Sequence, residues 1–214
     1  MISKRIRKIA SLIGNEESVL DIGCDHGYLA MQLRQNGNSA RIIRCDNKIG
    51  PLNNARKNLI AYDGIEYVLG NGAEKIAETV DTVVMSGLGY KTVIGIITAS
   101  RAYFDSCGRM IIQINTCQDQ LRRWLTENGF LIADEQMVYD YKYYQIMDVR
   151  KGEQKLSEME IRYGPVLLER RDKTFISYLH DRIENRRRIL REIDPANADY
   201  QKIVEQIREI ESLL

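Results

Sequence analysis

No apolar run in the chain approaches the roughly 20 residues that span a bilayer, and the N-terminal stretch has no signal-peptide apolar core. A soluble, cytoplasmic protein is expected. Cysteine is scarce: Cys24, Cys45, Cys107 and Cys117 contain no CxxC pair, and their spacing suits neither a zinc site nor a disulfide scaffold. Reduced thiols and no metal are the expectation. Histidine is scarcer still, with only His26 and His180. A charge bias is also missing. The 31 basic and 30 acidic residues leave a net charge of +1, so the whole-chain field argues neither for nor against nucleic acid. There is no internal repeat and no low-complexity tract.

What is present is enough apolar material, 44% of 214 residues, for one substantial domain and an appendage. The most informative stretch is Val19 to Tyr28. It starts as an apolar strand, turns on Gly23 and Gly27, and runs into the amphipathic segment Leu29 to Leu33. A strand, a glycine turn and a helix in that order leave a gap in which backbone can approach a ligand.

The same alternation continues. Strands are expected at 18–22, 40–45, 65–69, 80–85 and 109–114, with helices at 27–35, 51–61, 91–100 and 118–128 and a short one ending at Glu78. Phe130 to Val138 and Tyr141 to Val149 read as two strands too close in sequence for a crossover helix, so they should pair antiparallel. Five strand–helix units followed by such a hairpin predict an α/β fold, the Rossmann-like sheet of class I methyltransferases. Composition then changes. A methyltransferase domain is expected over 1–152 and a helical, coiled-coil-like hairpin over 153–214, with helices at 156–162, 166–193 and 196–214. The 13 basic and 13 acidic residues of 151–214 fit a solvated stalk, or a surface that also touches a large substrate through Arg186 to Arg191.

The glycine spacing is not G-x-G-x-x-G, and Asp25 stands where a middle glycine is usual. Asp21 and Asp25 would repel a pyrophosphate but suit the ammonium or sulfonium of S-adenosylmethionine. Asp46 ends the second strand, 19 residues after Gly27, where a carboxylate can accept ribose hydroxyls; its strand-end position favours that role over a simple turn aspartate. Asn71 could read an adenine edge or merely tolerate a left-handed turn. With Gly23, Cys24, Asn47, Gly72 and Gly87 these make the expected cofactor set. The second glycine turn, Ser86-Gly87-Leu88-Gly89, should form the acceptor side beside Tyr90 and Tyr28. Asp25, Tyr28 and Ser86 are the expected catalytic residues, and His26, Leu88, Gly89 and Tyr90 should contact the substrate. Apolar Ile2, Ile6, Ile9, Leu12 and Ile13 recur at helical spacing, with Lys4, Arg5, Arg7 and Lys8 off that face. That helix is either a solvated cover for a sheet edge or a basic lip for a polyanion.

At these residues the chain resembles a known family. D-I-G-C-D-H-G-Y-L-A, from Asp21 to Ala30, is similar to the D-[IV]-G-[ST]-D-H-A-Y-L-P signature of the bacterial TrmK family. Ser3-Lys4-Arg5 resembles the family's S-K-R-L, Asp46 to Pro51 its E-x-x-x-G-P, and Leu69 to Gly72 its L-G-N-G. Ser86 to Gly89 resembles A-G-M-G-G, and Tyr163-Gly164-Pro165 resembles F-G-P. The departures are Ala30 for a proline, Tyr90 for a glycine, and Gln113-Ile114-Asn115 for Q-P-N. The resemblance implies an S-adenosylmethionine-dependent enzyme that methylates N1 of adenine 22 in tRNA, with tRNA as partner; a monomer is expected, with a dimer left open. The residues alone leave open a methyltransferase for another RNA or a small molecule, or a non-catalytic RNA-binding relative.

Overall fold

The computed structural model describes residues 2–23 and 26–214. Its centre is a seven-stranded sheet of β1 (Val19–Ile22), β2 (Ile42–Asp46), β3 (Ile65–Leu69), β4 (Thr82–Leu88), β5 (Arg109–Ile114), β6 (Phe130–Asp140) and β7 (Lys142–Lys151). The strand order is β3-β2-β1-β4-β5-β7-β6. The first five strands are parallel, and β7 runs antiparallel to both β5 and β6. The order reverses between β1 and β4, the point at which open α/β sheets bind ligands.

Strand periodicity sorts the side chains into two buried layers. Leu20, Ile22, Val83, Met85, Met110 and Ile112 face one side, with α4 (Tyr90–Ala99), α5 (Arg101–Ser106) and α6 (Gln118–Glu127). Val19, Ile42, Val84 and Ile111 face the other, under α1 (Lys4–Ser11) and α2 (Tyr28–Gln35). Each fully buried Ile or Leu stabilises the fold by about 1.5–3 kcal/mol relative to exposure. Helix α1 is capped by Ser3, whose hydroxyl accepts from the Ile6 N–H, and it buries Ile9 and Ala10 while Lys4 and Arg7 stay exposed.

Several expected boundaries move. The stretch after β3 is a turn and not a helix, held by Lys75 Nζ donating to the Leu69 carbonyl at 2.8 Å. Helix α3 (Ile49–Asn58) starts two residues before Pro51. Helix α5, absent from the sequence reading, buries Phe104. The long helix expected over 166–193 is broken into α8 (Pro165–Arg170) and α9 (Lys173–Glu192). Arg171 takes φ 48, and Asp172 starts the second piece by accepting the Phe175 N–H.

The chain divides into two compact units, Met1–Val166 and Leu167–Leu214. The division falls after 166, later than the composition change at 152, because residues 153–166 are tied into the first unit. The fully buried Arg122 of α6 pairs with Glu135 of β6 at 2.7 Å, and donates to Gln145 of β7 and to the carbonyl of Ile161 in α7 (Glu158–Tyr163). Gly164, at φ +100, passes so close that a Cβ there would lie 2.4 Å from Glu135 Oε2. The Tyr-Gly-Pro motif is thus a tight passage over a buried ion pair. In the second unit α9 lies against α10 (Tyr200–Glu211) through Phe175, Leu179, Ile183, Ile207 and Ile210. Arg186 donates to Gln206 and Arg187 pairs with Glu184 and Glu211, so two of the basic cluster's arginines brace the helices.

Candidate functional site

A cleft of about 350 Å³ opens beyond the carboxyl ends of β1, β2 and β3. That is large enough for a nucleoside-sized group. Its walls are Ile22 and Gly23 after β1, Asp46, Asn47, Lys48 and Pro51 after β2, Gly70, Asn71 and Gly72 after β3, and Leu88, Thr92 and Ile96 from β4 and α4. Two glycines make the close approaches. Gly23 has φ +76, and a Cβ there would lie 2.7 Å from Leu88 Cδ2. Gly72 has φ +69, and a Cβ there would lie 2.6 Å from Ile96 Cγ2. Both positions combine a left-handed backbone with no room for a side chain.

The rim is held by short-range bonds. Asp46 Oδ1 accepts the Lys48 N–H at 2.9 Å, which fixes the carboxylate at the end of β2. The Asp46 carbonyl accepts the Gly70 N–H at 3.0 Å. Cys45 Sγ donates to the Gly72 and Gly70 carbonyls at 3.1 and 3.4 Å. Burial, reinforced by the Asp46 charge, pushes the Cys45 thiol up to about 11, so it stays a protonated donor. Asn71 Nδ2 lies 3.4 Å from Glu74 Oε1. Among the described residues, the ionisable groups lining the cleft are Asp46 and Lys48.

The structure brings together Gly23, Asp46, Asn47, Asn71, Gly72 and Leu88 from the expected site residues. Cys24 and Asp25 lie outside the described residues. Asp21 does not line the cleft. The period of two puts it on the opposite face of β1 from Ile22, buried, with its carboxylate 3.6 Å from Arg44 Nε. Burial raises the Asp21 carboxyl above the usual carboxylate range, with Arg44 opposing and Asp46 adding to the rise. Arg44 also runs beneath Gly27, where a Cβ would lie 2.5 Å from Nη1.

Gly87 and Ser86 are likewise not in the cleft wall, for a reason visible in the sheet. The β4–β5 register shifts between Ser86 and Leu88, leaving Gly87 as a bulge at φ +81. The extra residue turns Leu88 toward the cleft and leaves Gly87 against α1. There Gln113 Oε1 accepts from the Gly87 N–H at 3.1 Å, the Ser86 hydroxyl at 3.4 Å, and the Arg5 guanidinium. Arg5 is therefore tied to the turn that follows β4, while Lys4 and Arg7 remain exposed and Lys8 half-buried. Tyr90 starts α4 and packs on the apolar layer, with Gly89 as the extended N-cap. Tyr28 is 40% exposed at the start of α2, with its ring 5.6 Å from that of His26. Lys48, Pro51, Gly70, Thr92, Ile96 and the Gln113 junction were not among the expected site residues. Asn115, which donates to the Gly87 carbonyl at 3.2 Å, points to the same junction.

Among the described residues there is no cluster of His, Cys, Asp and Glu able to hold a metal ion. No described helix is long and apolar enough to cross a membrane. Residues 19–212 match the model of the TrmK family, described as tRNA (adenine(22)-N(1))-methyltransferase. The chain is 24% identical to the tRNA (adenine(22)-N(1))-methyltransferase of Bacillus subtilis, over 98% of this chain and 92% of that protein. It is similar to the Streptococcus pneumoniae protein Sp1610 in complex with S-adenosyl-L-methionine, at 30% identity and TM-score 0.87 over all of both chains. It is also similar to M. capricolum TrmK in complex with S-adenosyl-homocysteine, at 33% identity and TM-score 0.81, over 99% of this chain and 97% of that one.

Proposed function

The chain belongs to the TrmK family, and on that premise we propose that it is an S-adenosylmethionine-dependent methyltransferase acting on N1 of adenine 22 in cytoplasmic tRNA. The observation that carries this reading is the glycine-walled cleft at the β1–β4 switch, with Asp46 fixed at its rim.

The cofactor, when bound, supplies an electrophilic methyl carbon. Asp46 accepts the ribose hydroxyls, and Asn71 reads the adenine edge. Gly23 and Gly72 let backbone approach where a side chain would collide with Leu88 or Ile96. Asn47 adds a polar contact. Leu88, Gly89 and Tyr28 hold the target base, and His26 supports Tyr28.

Adenine N1 carries an in-plane lone pair, so no residue has to remove a proton before attack. The work of these side chains is therefore orientation and exclusion of water. N1 lies on the pairing edge, so the base must be unpaired or extruded when it reaches the cleft. Exposed Lys4 and Arg7, with Lys8, contact tRNA phosphates, and Arg5 links that helix to the acceptor wall through Gln113.

Incubation with S-adenosylmethionine and mixed unmodified tRNA, followed by nucleoside analysis, tests the reading. It predicts 1-methyladenosine. Cofactor turnover without 1-methyladenosine would overturn it.

A further inference from the structure

A second concavity lies at the tip of the β6–β7 hairpin. It measures about 680 Å³ and is lined by Ile2, Ser3, Lys4 and Arg7 from the start of α1, and by Asp140, Tyr141, Lys142 and Tyr144 from the hairpin. None of the hairpin residues belongs to the cofactor cleft.

Topology puts this tip at the working end of the sheet. Strand β7 is antiparallel to β5, and their pairing runs from Met110↔Val149 to Ile112↔Met147. Residues 142–146 therefore extend toward and past the carboxyl end of β5. That is the end at which β1, β2 and β4 open into the cleft.

The chemistry of the tip is aromatic and cationic. Tyr141 is 95% exposed, and it alone turns the chain, since Asp140 pairs with Lys142. Its φ is +60, a region in which glycine or asparagine is favoured and a bulky side chain is strained. A large ring is thus held in solvent at a position that backbone preference would give to a small residue. Tyr139 is half exposed, with its ring 4.9 Å from Tyr143. The floor is Tyr144, whose ring centroid lies 5.2 Å from the Arg5 guanidinium and 5.0 Å from Lys142 Nζ. Asp140, the one acid of the lining, is engaged: its Oδ2 accepts the Lys4 backbone N–H at 2.8 Å and fastens the tip to α1. Lys4, Arg7 and Lys142 are left as exposed cations around an exposed ring.

We infer that this tip binds a nucleotide of the substrate RNA other than the target adenine, with Tyr141 stacking on its base and Lys4, Arg7 and Lys142 on its phosphates. A flat exposed ring beside several exposed cations suits the base and phosphates of an unpaired nucleotide better than a protein partner. The inference rests on the tRNA reading, because it places the second nucleotide in the same molecule as the methylated one.

The test uses the full-length chain and three variants. Tyr141→Asn keeps a residue suited to the left-handed turn and removes the ring; Tyr141→Phe keeps the ring and removes the hydroxyl; Lys142→Gln removes one cation. The expected result for Tyr141→Asn is a rise of about tenfold in KM for tRNA, with cofactor Kd unchanged and Tyr141→Phe close to wild type. Lys142→Gln should lower the slope of log affinity against log salt by about one. Unchanged KM for tRNA in Tyr141→Asn would overturn the inference and leave the tip for protein contact. An equal loss in Tyr141→Phe would also overturn it, since a stacking role needs only the ring. A wild-type chain that binds and methylates no tRNA would instead sink the tRNA reading itself.

Discussion

Leu88 closes over Gly23: a Cβ on the glycine would lie 2.7 Å from Leu88 Cδ2, and the glycine's φ is +76. Gly23→Ala therefore meets two penalties, the left-handed backbone at about 1–2 kcal/mol and the collision. We expect a lower melting temperature and cofactor binding weakened by roughly tenfold or more, ~1.4 kcal/mol. Adding Leu88→Ala should relieve the collision and recover part of the affinity, but not the backbone cost. Calorimetric titration of the single and double variants checks this.

Asp46 has one carboxylate oxygen committed to the Lys48 N–H. If the remaining capacity takes ribose hydroxyls, Asp46→Ala should weaken cofactor binding by about 1.5–3 kcal/mol, the range for hydrogen bonds to a charged group. Asp46→Asn should fall between. An unchanged Kd for Asp46→Ala would remove the ribose contact.

Much of this was legible in the sequence, and the exceptions have physical causes. Apolar runs and glycine punctuation located all seven strands, and the missing crossover between β6 and β7 identified the antiparallel hairpin. That Asp46, Asn71 and Gly72 would line one cleft was readable because each follows a strand end in an open α/β sheet. Asp21 was read as a cofactor residue from its charge, and Gly87 from its place in the second glycine turn. The strand period turns Asp21 toward Arg44, and the bulge at Gly87 sends Leu88 into the cleft in its place. Thr92 and Ile96 were missed because helix α4 reaches the cleft only through tertiary packing. The break at Arg171 carries neither glycine nor proline, so nothing local announced it.

Gln113 is buried, and its carboxamide oxygen is shared by Gly87, Ser86 and Arg5. Gln113→Ala removes the acceptor shared by the exposed Gly87 turn, at a cost of about 0.5–1.5 kcal/mol, the net worth of a hydrogen bond whose donor can turn to water. Because the junction holds the turn after β4 and does not line the cleft, on the proposed reading kcat should fall while cofactor Kd is retained. Single-turnover methylation alongside cofactor titration separates the two.

The Arg122–Glu135 pair is fully buried. Arg122→Met strands a buried carboxylate and should destabilise the protein by about 3–5 kcal/mol. The double change Arg122→Met with Glu135→Leu should recover much of that loss. Urea unfolding of the set reads it directly.

Glu17 predicts a pH dependence. Burial works to raise its carboxyl, but hydrogen bonds from Thr82 and Arg109 and the Arg109 charge outweigh burial and hold it below 4.5. A depressed folded value means the contribution is present above the unfolded value and lost as pH falls through the folded one. Wild type should therefore exceed Glu17→Gln in urea midpoint at neutral pH, and the gap should close on acidification below pH 4.5.

The central claim is methylation of one base by orientation in the glycine-walled cleft. Its most direct test compares two tRNA transcripts differing only at position 22, one with adenine and one with guanine, each incubated with the protein and labelled cofactor. Label should enter the adenine transcript as 1-methyladenosine and should not enter the guanine transcript. Equal labelling of both transcripts would contradict the account.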